Sequence, residues 1–109
     1  MFRKFRNKKI EKYGLKFDSL GECKRYEELL KLQEAGMIKN LQHHPDPFIL
    51  LEKNDKFRAV TYQPDFFYTE NNICIFEDFK GMQTDVFKLK QKMLYALRGI
   101  EIRITGRKK

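Results

Sequence analysis

The run Ile73-Cys74-Ile75-Phe76-Glu77-Asp78-Phe79 constrains the fold more than any other part of this chain. Asn71-Asn72 before it is a tight-turn signal, and Gly81 ends it. Its mostly apolar character predicts a strand in a central position. The C-terminal third of the chain fixes its neighbours. A helical pattern begins near Thr84 and stops at Gly99, after which Ile100, Ile102 and Ile104 alternate with Glu101, Arg103 and Thr105. That alternation predicts a strand with one buried face, and a strand reached across a helix can lie parallel to the one before it.

The first half adds a helix and further strands. Ser19 fits an N-cap with Glu22 three residues later, a capping box. Leu20, Cys23, Tyr26, Leu29, Leu30 and Leu32 or Gln33 follow at helical spacing, and Gly36 is a stop. Strands are expected at Ile38 to His44, Phe48 to Glu52, and Lys56 to Tyr68, the last broken or bent near Pro64. Val86, Leu89 or Lys90, Met93, Leu94 and Leu97 predict the buried stripe of the second helix, with Lys88, Lys92 and Arg98 outside it. The order is helix, three or four strands, helix, strand. The predicted class is α/β, a central mixed sheet of four or five strands flanked by helices.

At 109 residues the chain is long enough for one domain with a single modest core. A hydrophobic fraction of 41% with ten Phe and five Tyr argues for a folded protein. The net charge of +8 sits entirely in the tails. Residues 1–9 hold Arg3, Lys4, Arg6, Lys8 and Lys9 without an acid, and 107–109 are Arg107-Lys108-Lys109; the 15 basic and 15 acidic residues between them balance. A neutral body with a basic N-terminal arm (1–9) and a basic C-terminal tail (105–109) suits a polyanion, because each phosphate neutralised releases a counterion. Short basic termini can also be merely solubilising.

Cys23 and Cys74 are too few for a disulfide framework and read as small core residues in a reducing, cytoplasmic compartment. No run of about 18 apolar residues predicts a membrane span, and the basic N-terminus lacks the apolar segment of a signal peptide. His43-His44 are adjacent on an expected strand, which should turn them to opposite faces, and no CxxC or HxxxH spacing accompanies them, so a zinc site is not expected. Tyr62, Phe67 and Tyr68 offer surfaces for base stacking, although most strand aromatics are core.

The candidate chemistry lies on the third and fourth expected strands. Asp78 and Lys80 are two apart and share a face, whereas Glu77 takes the other. If the two strands pair, Asp65 joins Asp78 and Lys80 in one cluster. Two carboxylates so close repel, and a hard divalent cation, Mg²⁺ or Mn²⁺, removes the repulsion. A cation so held lowers the pKa of a coordinated water and stabilises charge on phosphate oxygens. Lys80 should stay protonated and offset developing charge. Gly81 leaves room for another backbone to approach. The plainer alternative is that Asp and Lys two apart on a strand form part of a solvated face.

Phe17-Asp18-Ser19-Leu20-Gly21-Glu22, Tyr26-Glu27-Glu28-Leu29, Tyr62-Gln63-Pro64-Asp65-Phe66, Glu77-Asp78-Phe79-Lys80-Gly81 and Thr84-Asp85-Val86-Phe87-Lys88 together resemble the small phage family known as domain of unknown function 1064, over roughly residues 10–104. The same motifs are similar to those of the PD-(D/E)xK nucleases with the restriction-endonuclease-like fold, and most similar to phage junction-resolving endonucleases and transposase endonuclease subunits. The resemblance implies a metal-dependent DNA endonuclease of the bacterial host cytoplasm, with branched or Holliday-junction DNA as substrate. A homodimer is then expected, because junction resolution cuts two strands symmetrically.

By the same resemblance Glu22 is the first-helix glutamate that helps hold a metal or its water. Asp65 is the metal-bridging aspartate, Asp78 and Lys80 are the acid and lysine of the (D/E)xK motif, and the Phe79 carbonyl is a further metal ligand. By the residues alone, Glu22 reads as a capping residue. DNA contacts are expected from Arg3, Lys4, Arg6, Lys8 and Lys9 of the arm and from Thr84, Lys88 and Lys92 of the second helix, which begins just beyond Lys80-Gly81. The rival is a non-catalytic nucleic-acid-binding accessory protein with a merely structural acidic cluster.

Overall fold

A computed structural model describes residues 9–106. The sequence of elements is β1 (Ile10–Lys12), β2 (Leu15–Phe17), α1 (Leu20–Glu34), β3 (Lys39–His43), β4 (Phe48–Leu51), β5 (Val60–Tyr62), β6 (Phe66–Glu70), β7 (Ile73–Phe79), α2 (Asp85–Arg98) and β8 (Ile102–Thr105). The central sheet has four strands in the order β3-β6-β7-β8. It is mixed: β3/β6 and β6/β7 are antiparallel and β7/β8 is parallel. The run Ile73–Phe79 is an interior strand, as its apolar character predicts.

The two faces of the sheet are covered differently. On one, α1 packs through Leu29 with Ile38, Phe66 and Tyr68, joined by Tyr26, Ile75 and Phe79. On the other, Phe87 and Leu94 of α2 pack with Leu50, Tyr62, Ile102 and Ile104. The β4/β5 ribbon belongs to this second layer and is not hydrogen-bonded to the central sheet. The segment expected as one long strand, Lys56 to Tyr68, is thus divided: β5 pairs with β4, and past Pro64 the chain enters the central sheet as β6. Proline offers no backbone N–H to a ladder, so a change of sheet falls naturally there.

Three further expectations need correction. Residues 10–17, where the sequence up to residue 16 is poorly patterned and no element is expected, form an antiparallel hairpin, turned by Tyr13 (φ 57°) and Gly14 (φ 74°). Both central residues lie in the left-handed region, which matches the twist of a two-residue hairpin. The hairpin is pinned to α1: Lys12 and Tyr13 both donate to Glu27 Oε2, at 2.8 and 2.7 Å, and Phe17 is fully buried. Secondly, Cys23 is buried but Cys74 is exposed. Thirdly, α2 buries Phe87 and Leu94, whereas Val86, Leu89 and Leu97 are exposed. The buried face is rotated by roughly a quarter turn from the expected stripe. The Phe87 ring has more apolar area to bury than Val86 and packs on Tyr62 with centroids 6.0 Å apart.

Both helix starts match their sequence signals. Ser19 Oγ accepts from Glu22 N–H at 3.1 Å, and Thr84 Oγ1 accepts from Phe87 N–H at 3.1 Å. Gly36 and Gly99 take the left-handed conformation just past the two helix ends. Among the described residues, no helix is long and apolar enough to cross a membrane.

Candidate functional site

Register brings the acids together. Phe66 pairs with Glu77, so the residue before Phe66 lies beside the residue after Glu77. Asp65 and Asp78 therefore meet at one end of the β6/β7 pair. Asp65 N–H donates to the Glu77 carbonyl and to Asp78 Oδ1, both at 3.1 Å. Its own carboxylate turns the other way and accepts from Phe79 N–H through Oδ2 at 2.8 Å. Asp65 sits in the bend just before β6 and Lys80 one residue past β7, so the pair stands at strand ends. Lys80 N–H still donates to the Thr105 carbonyl at 2.9 Å, which fixes its backbone against β8.

Asp78 faces the α2 layer. Its Oδ2 accepts the Tyr62 hydroxyl at 2.5 Å and lies 3.9 Å from Lys80 Nζ, and the residue is only 2% exposed. The Lys80 ammonium also stands over the Phe87 ring, 4.7 Å from its centroid. Tyr62, a candidate base-stacking surface by sequence, is buried and serves this contact instead. Burial beside the Asp78 carboxylate drives the Tyr62 hydroxyl strongly upward in pKa, so it stays protonated and donates.

Glu77 takes the opposite face, as alternation requires. It is wholly buried and fully partnered: Arg25 donates through Nε to Oε2 at 2.7 Å and through Nη2 to Oε1 at 3.0 Å. The hydroxyls of Tyr68 and Thr105 complete the set, at 2.5 and 2.8 Å. This network joins α1, β6, β7 and β8 directly behind the acid pair.

Glu22 arrives from the first turn of α1. It caps the helix, but its Oε1 accepts from Asp18 N–H at 3.0 Å, one residue upstream of the Ser19 cap. Its Oε2 lies 3.0 Å from His43 Nε2 and 3.1 Å from His44 Nε2. The two imidazoles stack 3.8 Å apart, contrary to the expectation that adjacent strand residues diverge. The reason is local: His44 lies just past β3 with φ 55°, a left-handed conformation that breaks the alternation and swings its ring onto the side of His43.

The pieces converge on a cleft of about 580 Å³ lined by Asp18, Ser19, Glu22, Asp65, Phe79, Lys80, Gly81 and Met82. Asp18, Glu22, His44 and Asp65 each offer one ligand atom, all within 4.8 Å of one another. A divalent cation has ligands about 2.1 Å away, so opposed ligand atoms are roughly 4.2 Å apart. The donor set therefore fits a metal ion, with Asp18 and His44 as members that sequence reasoning misses. Asp18 stands inside the Phe17–Glu22 motif with nothing in its spacing to mark it as a ligand. His44 escapes because strand alternation is expected to run through it. Asp78 is close to Asp65 but outside that group of four.

The electrostatics agree. Burial, then the neighbouring Asp78 and Glu22 carboxylates, push the Asp65 carboxyl up to about 8, against the partial relief of the Phe79 amide. A carboxylate so destabilised is one that a cation would favour in place of a proton.

Of the expected DNA contacts, Arg3, Lys4, Arg6 and Lys8 lie outside the described residues. Lys9 is exposed and pairs with Asp18 at 3.1 Å, on the rim of the cleft. Thr84 uses its hydroxyl to cap α2, and Lys88 and Lys92 are exposed along that helix.

The family model described as "Protein of unknown function (DUF1064)" matches residues 2–107. The chain belongs to the DUF1064 family. That match spans both strand-end acids, Glu22, His44 and Lys80, so the whole site lies within the DUF1064 region. No curated protein and no solved structure matches the chain.

Proposed function

We propose that this chain is a divalent-cation-dependent DNA endonuclease, built on a restriction-endonuclease-like arrangement and hydrolysing phosphodiester bonds. The observation that carries the reading is the setting of Asp65. Its carboxyl is held by the Phe79 amide, feels both Glu22 and Asp78, and lines the same cleft as Lys80. A divalent cation in that cleft would lower the pKa of a bound water and offset charge on a phosphate. Glu22 and Asp65 would hold it from the cleft side, with the Phe79 carbonyl as a further ligand. Asp78 orients Asp65 through its backbone amide and holds Lys80 in place. The Lys80 ammonium would face the phosphate. At Gly81 a Cβ would meet no protein atom within 4 Å, so the backbone is open to an incoming strand.

Branched DNA is the substrate class favoured by the resemblance to junction-resolving nucleases, and symmetrical cutting of a junction would need two copies. Lys88, Lys92 and the basic arm are the surfaces from which a phosphate backbone would be tracked. The deciding assay is cleavage of supercoiled plasmid and of a four-way junction with Mg²⁺ or Mn²⁺, against an EDTA control.

One observation favours a second reading. Asp78 is almost wholly buried and both its oxygens are already engaged, as expected of a structural acid. In that case the protein is a non-catalytic nucleic-acid-binding accessory. Salt-dependent DNA binding without any cation-dependent cutting would select it.

A further inference from the structure

Two of the three buried acids at this end of the sheet are treated in opposite ways. Glu77 is given a guanidinium, held by two hydrogen bonds. Glu22, equally inaccessible at 2% exposure, has no Lys or Arg partner among the described residues and faces two imidazoles instead. Asp65 and Asp18 then bring two more carboxylates to the same cleft. Lys9 pairs with Asp18 at the rim, and Lys80 lies beside Asp78. Three carboxyl groups thus gather beside His44, with His43 also in reach of Glu22.

We propose that Asp18, Glu22, His44 and Asp65 form a mixed carboxylate–imidazole site that selects a divalent first-row transition ion, probed here as Mn²⁺, over Mg²⁺. Mg²⁺ keeps its waters and takes oxygen ligands, and gains little from an imidazole. A transition ion gains from the nitrogen, and Mn²⁺, which also accepts several carboxylates, is the probe that separates this gain from the behaviour of Mg²⁺. The backbone of His44 is set for this role: its left-handed conformation turns Nε2 toward Glu22, and the His43 ring stacked on it holds the imidazole plane. His43, with a side chain only 5% exposed, is the positioning residue. His44 is more open, at 32%, and faces the cleft acids.

The inference rests on the cation-dependent reading of the cleft, and it is tested without DNA. Chelator-treated protein is titrated with Mn²⁺, followed by loss of the free-ion electron paramagnetic resonance signal, and then with Mg²⁺ in competition. The expected result is that Mn²⁺ binds on the order of tenfold or more tightly than Mg²⁺. His44→Ala should weaken Mn²⁺ by a similar factor and leave Mg²⁺ within about twofold. Because His44→Ala can also loosen the fold, pulsed resonance on the wild-type Mn²⁺ complex gives a second readout: a ¹⁴N coupling from one directly bound imidazole. Equal affinity for the two ions, or a Mn²⁺ complex with no nitrogen coupling, overturns the selectivity while leaving the nuclease reading to the cleavage assay. Failure to bind either ion overturns both.

Discussion

The Tyr62 hydroxyl donates to Asp78 Oδ2 at 2.5 Å, linking the last residue of β5 to the acid near the end of β7. It is a contact between layers, because β5 belongs to the ribbon on the α2 side and β7 to the central sheet. Removing the hydroxyl leaves a buried carboxylate short of a donor. Tyr62→Phe should lower stability by about 1–3 kcal/mol, read as a lower urea midpoint at unchanged slope.

Arg25 and Glu77 supply a second stability test. The Arg25 guanidinium is pushed further up in pKa by its hydrogen bonds to Glu77 and is charged at any working pH. Arg25→Ala strands a carboxylate with no exposed surface, a loss of about 3–5 kcal/mol. Glu77→Gln in the same background should recover part of that loss, because an amide costs less to bury than an unpaired charge.

The Phe79 ring lies between two glycines. A Cβ on Gly21 would come within 2.5 Å of Phe79 Cε2, and one on Gly106 within 2.7 Å of Cε1. Gly21 sits in the first turn of α1 and Gly106 just after β8, so the ring fills the space between the start of the helix and the end of β8. Gly21→Ala should cost about 1–3 kcal/mol through overpacking. By displacing Phe79 it should also loosen the amide that holds Asp65, seen as weaker Mn²⁺ binding.

The raised Asp65 pKa sets a pH dependence with a definite sign. In the unfolded chain the group titrates at its ordinary value of 3.8, and in the metal-free fold at about 8. Between those values the folded state binds the extra proton, so stability is greatest at the acid end of the window and falls as pH rises toward 8. Asp65→Asn should flatten that decline in metal-free thermal melts. Adding Mn²⁺ to the wild type should oppose it, with proton release near neutral pH measurable by titration calorimetry in buffers of different ionisation enthalpy.

For cleavage, Lys80→Ala is the sharper variant, because the ammonium is partly exposed on the cleft and its removal leaves the fold's hydrogen bonds in place. Its loss should reduce cutting by about 10²–10³-fold, the usual effect of removing one group that stabilises developing charge. DNA binding, measured by salt-dependent gel shift, should be largely retained. Asp78→Ala should also abolish cutting, but Tyr62→Phe and a melting curve are needed beside it to separate lost chemistry from lost packing.

Much of this fold is legible in the sequence because its signals are local. Ser19 and Thr84 cap helices, Gly36 and Gly99 stop them, and Asn71-Asn72, both with positive φ, turn β6 into β7. The β6/β7 pairing that joins Asp65 to Asp78 follows from that turn. What escapes local reading depends on distant partners. The Tyr13-Gly14 hairpin alternates too briefly among lysines to declare itself and is stabilised by Glu27 on α1. The buried face of α2 is decided by Tyr62 and Leu50, not by the widest apolar stripe. His44 is hidden by a single left-handed residue, since strand periodicity carries no information about where it fails. For Glu22 the capping and ligating readings are not rivals: one oxygen takes the Asp18 amide and the other faces the imidazoles.

The change of sheet at Pro64 has a consequence for when chemistry can appear. Asp65 is the first residue after the crossing, anchored to the central sheet, while Tyr62 before it is committed to the ribbon. A half-assembled chain, with the ribbon loose, still has Asp65 and Asp78 joined through the β6/β7 pairing, but its Asp78 lacks the Tyr62 hydroxyl. On the nuclease reading, the acid pair should therefore take its final setting only when the ribbon docks, which would tie any cutting to completion of the fold.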